Sequence, residues 1–105
     1  MPKSEINAVR NPARKPTHPG TLLDTEVLPA LGRPKTEIAA LLGVSRQTLY
    51  DVLGGKQPVT PQLAVRLGKL CGNGAALWLN MQVKHDLWEA SRKVDVSKIP
   101  TLAPA

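Results

Sequence analysis

Residues 35–55, K-T-E-I-A-A-L-L-G-V-S-R-Q-T-L-Y-D-V-L-G-G, restrict the fold of this chain more than any other stretch. Ile38, Leu41 and Leu42 recur at i, i+3 and i+4, which makes one apolar helical face. Thr36 reads as the N-cap of that helix, with Glu37 in the first turn where a carboxylate suits the helix dipole. Ala39 and Ala40 are small enough for a second helix to approach closely. Gly43 ends the helix as a residue able to take the left-handed conformation. Val44 plugs the turn, Ser45 caps the next helix, and Leu49, Val52 and Leu53 repeat the apolar spacing. Gly54-Gly55 closes the unit.

Two short helices, a glycine turn and an aliphatic residue after it form a helix-turn-helix. Its second helix leaves Arg46, Gln47, Thr48, Tyr50 and Asp51 off the apolar face. Arg and Gln form bidentate bonds to base edges, and Thr reaches a phosphate or a thymine methyl. A recognition helix enters the major groove with its N-terminal residues, which is where these side chains stand. The bland alternative is an ordinary solvated helix surface. The spacing A-x-x-x-G followed by S-R-Q-T weighs against it.

The 105 residues suit one domain. Hydrophobic residues make up 42% but aromatics only 3%, with no Phe. The core must therefore be built mainly from Leu, Val, Ile and Ala, which suits packed helices, and no long alternating run suggests a strand. The expected class is all-α. A formal net charge of +6 favours an anionic partner, nucleic acid first. Cys71 is the single cysteine, so no intramolecular disulfide forms, and it reads as a small buried residue. No apolar run is long enough to span a membrane and the N-terminus lacks a signal-peptide core, so a cytoplasmic protein is expected.

In chain order, residues 1–17 form a proline-containing basic arm without helical period, expected to be flexible. Either Arg10, Arg14 and Lys15 contact DNA or the arm is merely solvated. The folded domain covers 18–92. Its first helix begins near Pro19-Gly20-Thr21 and carries Leu22, Leu23, Val27, Leu28 and Leu31 as its stripe, complicated at the end by Pro29. After Gly55, Lys56 sits where a phosphate contact is natural. Val59 precedes a helix capped by Thr60, with Pro61 at N1, spanning about residues 61–70. Leu63, Ala64, Leu67 and Leu70 face its core, with Arg66 and Lys69 outward. A fifth helix runs from about Ala75 to residue 90 or 92. Its apolar set exceeds one stripe, so Trp78, Leu79, Val83, Leu87 and Trp88 suggest a dimer or partner surface. Alternatively the tryptophans cap the core. Residues 93–105 read as a flexible tail.

An enzyme is not expected. His18 and His85 lie in different segments, one toward the arm and one on a polar helix face beside Lys84, Asp86 and Glu89. Neither has metal-ligand spacing, no phosphate loop follows a strand, and Ser45 is a cap rather than a nucleophile. No cofactor or metal is expected.

Several marks together resemble the HigA family of antitoxins, a branch of the Xre/Cro-type (lambda-repressor-like) helix-turn-helix proteins. They are His18-Pro19-Gly20, the stretch G-V-S-R-Q-T-L-Y-D-V-L-G-G-K, the T-P-x-L-A-x-R-L-G-K-L helix and W-L-N-M-Q-x-x-x-D-L-W from Trp78 to Trp88. The last is the most specific. The resemblance implies five helices, a DNA-binding homodimer and a cognate RelE-like mRNA endonuclease toxin. It implies neutralisation of that toxin and repression of the shared promoter at a palindromic operator. DNA contact is carried onto Ser45, Arg46, Gln47 and Thr48, with Lys56 on phosphate. Lys35, Thr36, Tyr50 and Asp51 complete the expected interface. Thr21 departs from the family, which usually has an acid there. The alternatives are a stand-alone Xre-type repressor without a toxin, and a protein-interaction module that keeps the helix-turn-helix as scaffold.

Overall fold

A computed structural model of the chain describes residues 14–103, which fold into five helices with no strand among the described residues. Helix α1 runs Pro19–Leu22, passes through a π-helical turn at Leu23–Val27 and finishes at Leu28–Leu31. Its N-cap is His18, whose Nδ1 accepts from the Gly20 amide at 2.9 Å, with Pro19 at N1. The π turn accounts for Pro29. A proline ring collides with the carbonyl four residues back, and a wider turn moves that carbonyl away. Leu28 N–H accordingly bonds the Leu23 carbonyl, five residues back.

Helix α2 is Lys35–Leu42 and α3 is Arg46–Leu53. Thr36 does not cap α2. Pro34 occupies the cap position without a side-chain bond, since its fixed φ already suits an extended residue whose carbonyl accepts from Ile38 at 3.0 Å. Leu41 is likewise corrected. It is 58% exposed, while Ala39 joins Ile38 and Leu42 in the core. The tight turn decides this, because α3 folds back across the Ala39 side of α2. Gly43 takes φ +73°, and the Val44 amide reaches the Ala39 carbonyl at 3.0 Å while Gly43 N–H bonds that of Ala40 at 3.1 Å, which closes a Schellman turn.

Helix α4, Pro61–Cys71, is capped by the Thr60 hydroxyl on the Leu63 amide. Val59 is buried ahead of it. Arg66 does not simply face water. Its Nη1 donates to the Leu42 carbonyl at 2.7 Å, placing a cation on the C-terminal end of α2. Helix α5, Ala75–Lys93, packs against α4 through a glycine contact. A Cβ on Gly68 would lie 2.5 Å from the Ala75 amide nitrogen.

Trp78 is 0% exposed and is the largest fully buried side chain, surrounded by a core of Leu, Ile, Val and Ala. It therefore leaves the proposed partner surface, and the core-capping alternative holds for Trp78, whereas Trp88 is half-buried outside the core. One turn on, the buried Gln82 accepts from the Val59 amide at 2.7 Å and donates to Asp86 at 2.8 Å. Gln82→Leu keeps the volume but strands a buried N–H. It is expected to lower stability by about 1–3 kcal/mol, seen in urea unfolding as a lower midpoint with an unchanged slope.

Candidate nucleic-acid interface

The first turn of α3 is built from its cap outward. Ser45 Oγ accepts from the Thr48 amide at 3.0 Å and donates to Thr48 Oγ1 at 2.9 Å. Both hydroxyls are thereby set at the helix entrance, where the dipole favours an anion. Leu49, Val52 and Leu53 anchor the opposite side of α3 in the core. Arg46 and Gln47 are left exposed at the N-terminal end.

Neighbouring elements complete the surface. Lys35, from the first turn of α2, pairs with Asp24 of α1 at 3.2 Å and holds its ammonium 5.8 Å from the ring centroid of Tyr50 on α3. Thr36 is exposed beside it. Past the end of α3, Gly55 takes φ +75°, and the amides of Lys56 and Gln57 turn back onto the Asp51 carbonyl at 2.8 and 3.2 Å. The Lys56 side chain is exposed. Asp51 accepts from Gln47 Nε2 at 2.8 Å and from Gln57 Nε2 at 3.1 Å. All nine residues expected at the interface thus belong to α2, the turn after it, α3 and the following loop. Gln57 is the one that sequence reasoning passed over. It has no helical period, and its only signal is its place beside Lys56. Arg10 lies outside the described residues.

Of the residues expected at a partner surface, Trp78 lies in the core, while Leu79, Val83 and Leu87 follow one another at i, i+4 along α5 and Leu87 and Trp88 border one shallow pocket. Val83 and Leu87 are 56% and 64% exposed, Leu79 is half-buried against the core, and Trp88 is half-buried. The Arg92 guanidinium lies 4.1 Å and the Lys15 ammonium 5.9 Å from the Trp88 ring centroid.

The two histidines, expected apart, meet. His18 and His85 are both buried and pack edge to face, 5.0 Å between centroids and 82° between planes. His85 is therefore not on a solvated face, because the start of α1 covers that side of α5. Burial lowers the His18 pKa first, with His85 adding to it. Asp86, Glu89 and a hydrogen bond to the Gln57 backbone pull the other way. Lys15 bonds Glu89 at 3.1 Å, and this bond is the main cause of the lowered Glu89 pKa. His18, His85, Lys15 and Glu89 border a cleft of about 470 Å³ that also touches Gly54 and Gly55. Burial raises the pKa of the half-buried Cys71 thiol. Among the described residues no group of three His, Cys, Asp or Glu is placed to hold a metal, and no helix is long and apolar enough to cross a membrane.

No protein-family model matches the chain. It is 32% identical over 99 residues to the HTH-type transcriptional regulator YbaQ of Escherichia coli K12, spanning 90% of this chain and 88% of that protein. It is 31% identical over 85 residues to the antitoxin HigA-1 of Vibrio cholerae, spanning 81% and 80%. The solved structure of the Pseudomonas aeruginosa antitoxin HigA with the higBA promoter superposes with a TM-score of 0.72 at 28% identity, covering 80% of this chain and 89% of that one.

Proposed function

This chain belongs to the HigA family of Xre-type helix-turn-helix antitoxins and transcriptional regulators, and on that premise we propose how it acts: a homodimer occupies a palindromic operator, and the same protein neutralises a RelE-like mRNA endonuclease toxin. The observation that carries the DNA-binding part is the α3 entrance. Arg46 and Gln47 stand exposed on a turn capped by Ser45, on a helix whose other side is locked into the core. The relative solved with its promoter supports the same use.

One helix-turn-helix touches too few base pairs to find a single site. Two copies related by a two-fold axis place their recognition helices about 34 Å apart, one turn of DNA, and a palindrome follows from that symmetry. Arg46 and Gln47 read base edges, each contributing on the order of 1–3 kcal/mol of discrimination. Ser45, Thr48, Lys35 and Lys56 hold the backbone, and these contacts weaken with salt. The antitoxin role rests on the Vibrio relative and acts in the cytoplasm, where operator and transcript are found.

The test has two arms. Duplexes enriched by the chain from a randomised library should carry a two-fold consensus, and Arg46→Ala should lose about tenfold or more of the preference for it over random DNA. Unchanged preference in Arg46→Ala would remove Arg46 from the reading surface. In the second arm, any small open reading frame found adjacent to the gene is expressed alone and together with this chain. Growth arrest relieved by the chain, with a complex recovered by pull-down, supports the antitoxin. Consensus DNA binding without a toxic neighbour would make the protein a stand-alone repressor.

A further inference from the structure

Among the nine residues expected at the interface Asp51 is the carboxylate, and a carboxylate opposite phosphates opposes binding. Asp51 has an unusual set of partners for such a place. Its two oxygens accept from two amides, Gln47 on Oδ1 at 2.8 Å and Gln57 on Oδ2 at 3.1 Å. The Gln47 contact alone would be an ordinary i, i+4 pair on a helix surface. The Gln57 contact differs, because that side chain arrives from the loop after α3. The loop is itself fastened by the Lys56 and Gln57 amides on the Asp51 carbonyl.

The chemistry of the pair sets the orientation of the Gln47 amide. An ionised carboxylate only accepts, so each glutamine must turn its nitrogen toward Asp51 and its oxygen away. A carboxamide nitrogen carries two hydrogens. When Asp51 takes the hydrogen trans to Oε1, the second stands beside Oε1. An acceptor and a donor side by side on one rigid amide complement the N6 amine and N7 of adenine in the major groove.

We propose that Asp51 is a positioning residue that does not read DNA itself but locks the Gln47 amide for adenine, with Gln57 braced on its other oxygen as an additional polar contact. This rests on the DNA-binding reading above. Without Asp51 the Gln47 amide rotates freely and presents donor or acceptor to any base. Selectivity falls while the surface becomes more positive.

The experiment scans the wild-type consensus duplex with every single base-pair substitution, at fixed salt, against the wild type, Asp51→Ala, Gln47→Ala and the double variant. Asp51→Ala is expected to lose on the order of tenfold discrimination at one A·T pair, to bind random duplex DNA more tightly, and to keep the wild-type profile at the pairs read by Arg46. Gln47→Ala should lose the same A·T pair, and the double variant should lose no more than either alone. A wild-type profile at every pair in Asp51→Ala overturns the assignment. So does an equal loss of affinity for all duplexes, which marks a purely structural role. If Asp51→Ala melts far below the wild type, Asp51→Leu, a good helix former that accepts no hydrogen bond, takes its place in the same scan with the same expected outcomes. A wild-type chain that enriches no consensus overturns the DNA-binding reading and this assignment together, whereas a consensus with an unaltered Asp51→Ala profile overturns this assignment alone.

Discussion

Trp78→Ala is expected to remove about 3–5 kcal/mol of stability, the range for deleting a fully buried large aromatic side chain. For a domain of this size that corresponds to a melting temperature lower by on the order of 20 °C, and it consumes much of the 5–15 kcal/mol by which such domains are typically stable. The indole is enclosed on all sides. It stands on α5 against a core drawn from all four other helices, and among the described residues no other side chain of comparable volume is fully buried. In a core otherwise of aliphatic residues, the neighbouring side chains relax only partly into the space. The polar end is satisfied separately, since Nε1 donates to Asn73 Oδ1 at 3.0 Å. Trp78→Phe should therefore retain most of the stability, because Asn73 is exposed and can bond water instead. Thermal melting of the two variants separates volume from hydrogen bonding. A loss of only a few degrees in Trp78→Ala would return Trp78 to the surface of α5.

Gly20→Ala is expected to be comparably severe for a different reason. The first turn of α1 crosses the end of α3 so closely that a Cβ at Gly20 would lie 1.8 Å from the Val52 carbonyl oxygen and 2.8 Å from its carbon. Both are backbone atoms of the recognition helix, which no rotamer change can move. The His18 Nδ1 that caps α1 lies 3.0 Å from the same point. Accommodating one methyl means separating α1 from α3, at or above the upper end of the about 1–3 kcal/mol that overpacking usually costs. DNA binding should fall along with stability, because α3 loses the support that orients it. Gly54→Ala is the matched control. Gly54 has φ −84°, and a Cβ there would meet nothing closer than the Tyr50 carbonyl at 3.4 Å. Equal melting temperatures for Gly20→Ala and the wild type would show that the two helices tolerate a wider crossing.

Much of this architecture is legible residue by residue. Ser45 and Thr60 cap the helices expected of them, Gly43 ends α2 in the left-handed conformation, and Pro61 opens α4. The side chains at the α3 entrance are exposed as their spacing suggests. The misreadings share one character. Thr36 has the chemistry of a cap, yet the backbone of Pro34 already supplies the geometry. Leu41 fits the period, yet it looks outward because α3 covers the other flank of α2. His85 sits among charged neighbours, yet it lies under His18, 67 positions earlier in the chain.

The sequence by itself determined the caps of α3 and α4, the apolar faces of those two helices and which residues stand at the recognition turn. Those features depend on backbone chemistry and side-chain spacing within about four residues, a range that is visible in one dimension. Only the tertiary structure decided that Trp78 fills the core, that Gln82 ties the loop before α4 to α5, that Arg66 caps α2, that Gly20 sets the approach of α1 to α3, and that Asp51 gathers two glutamines. These join segments that are far apart along the chain or on opposite sides of a turn. They exist only once crossing angles and loop paths bring donors, acceptors and voids within a few ångströms of each other.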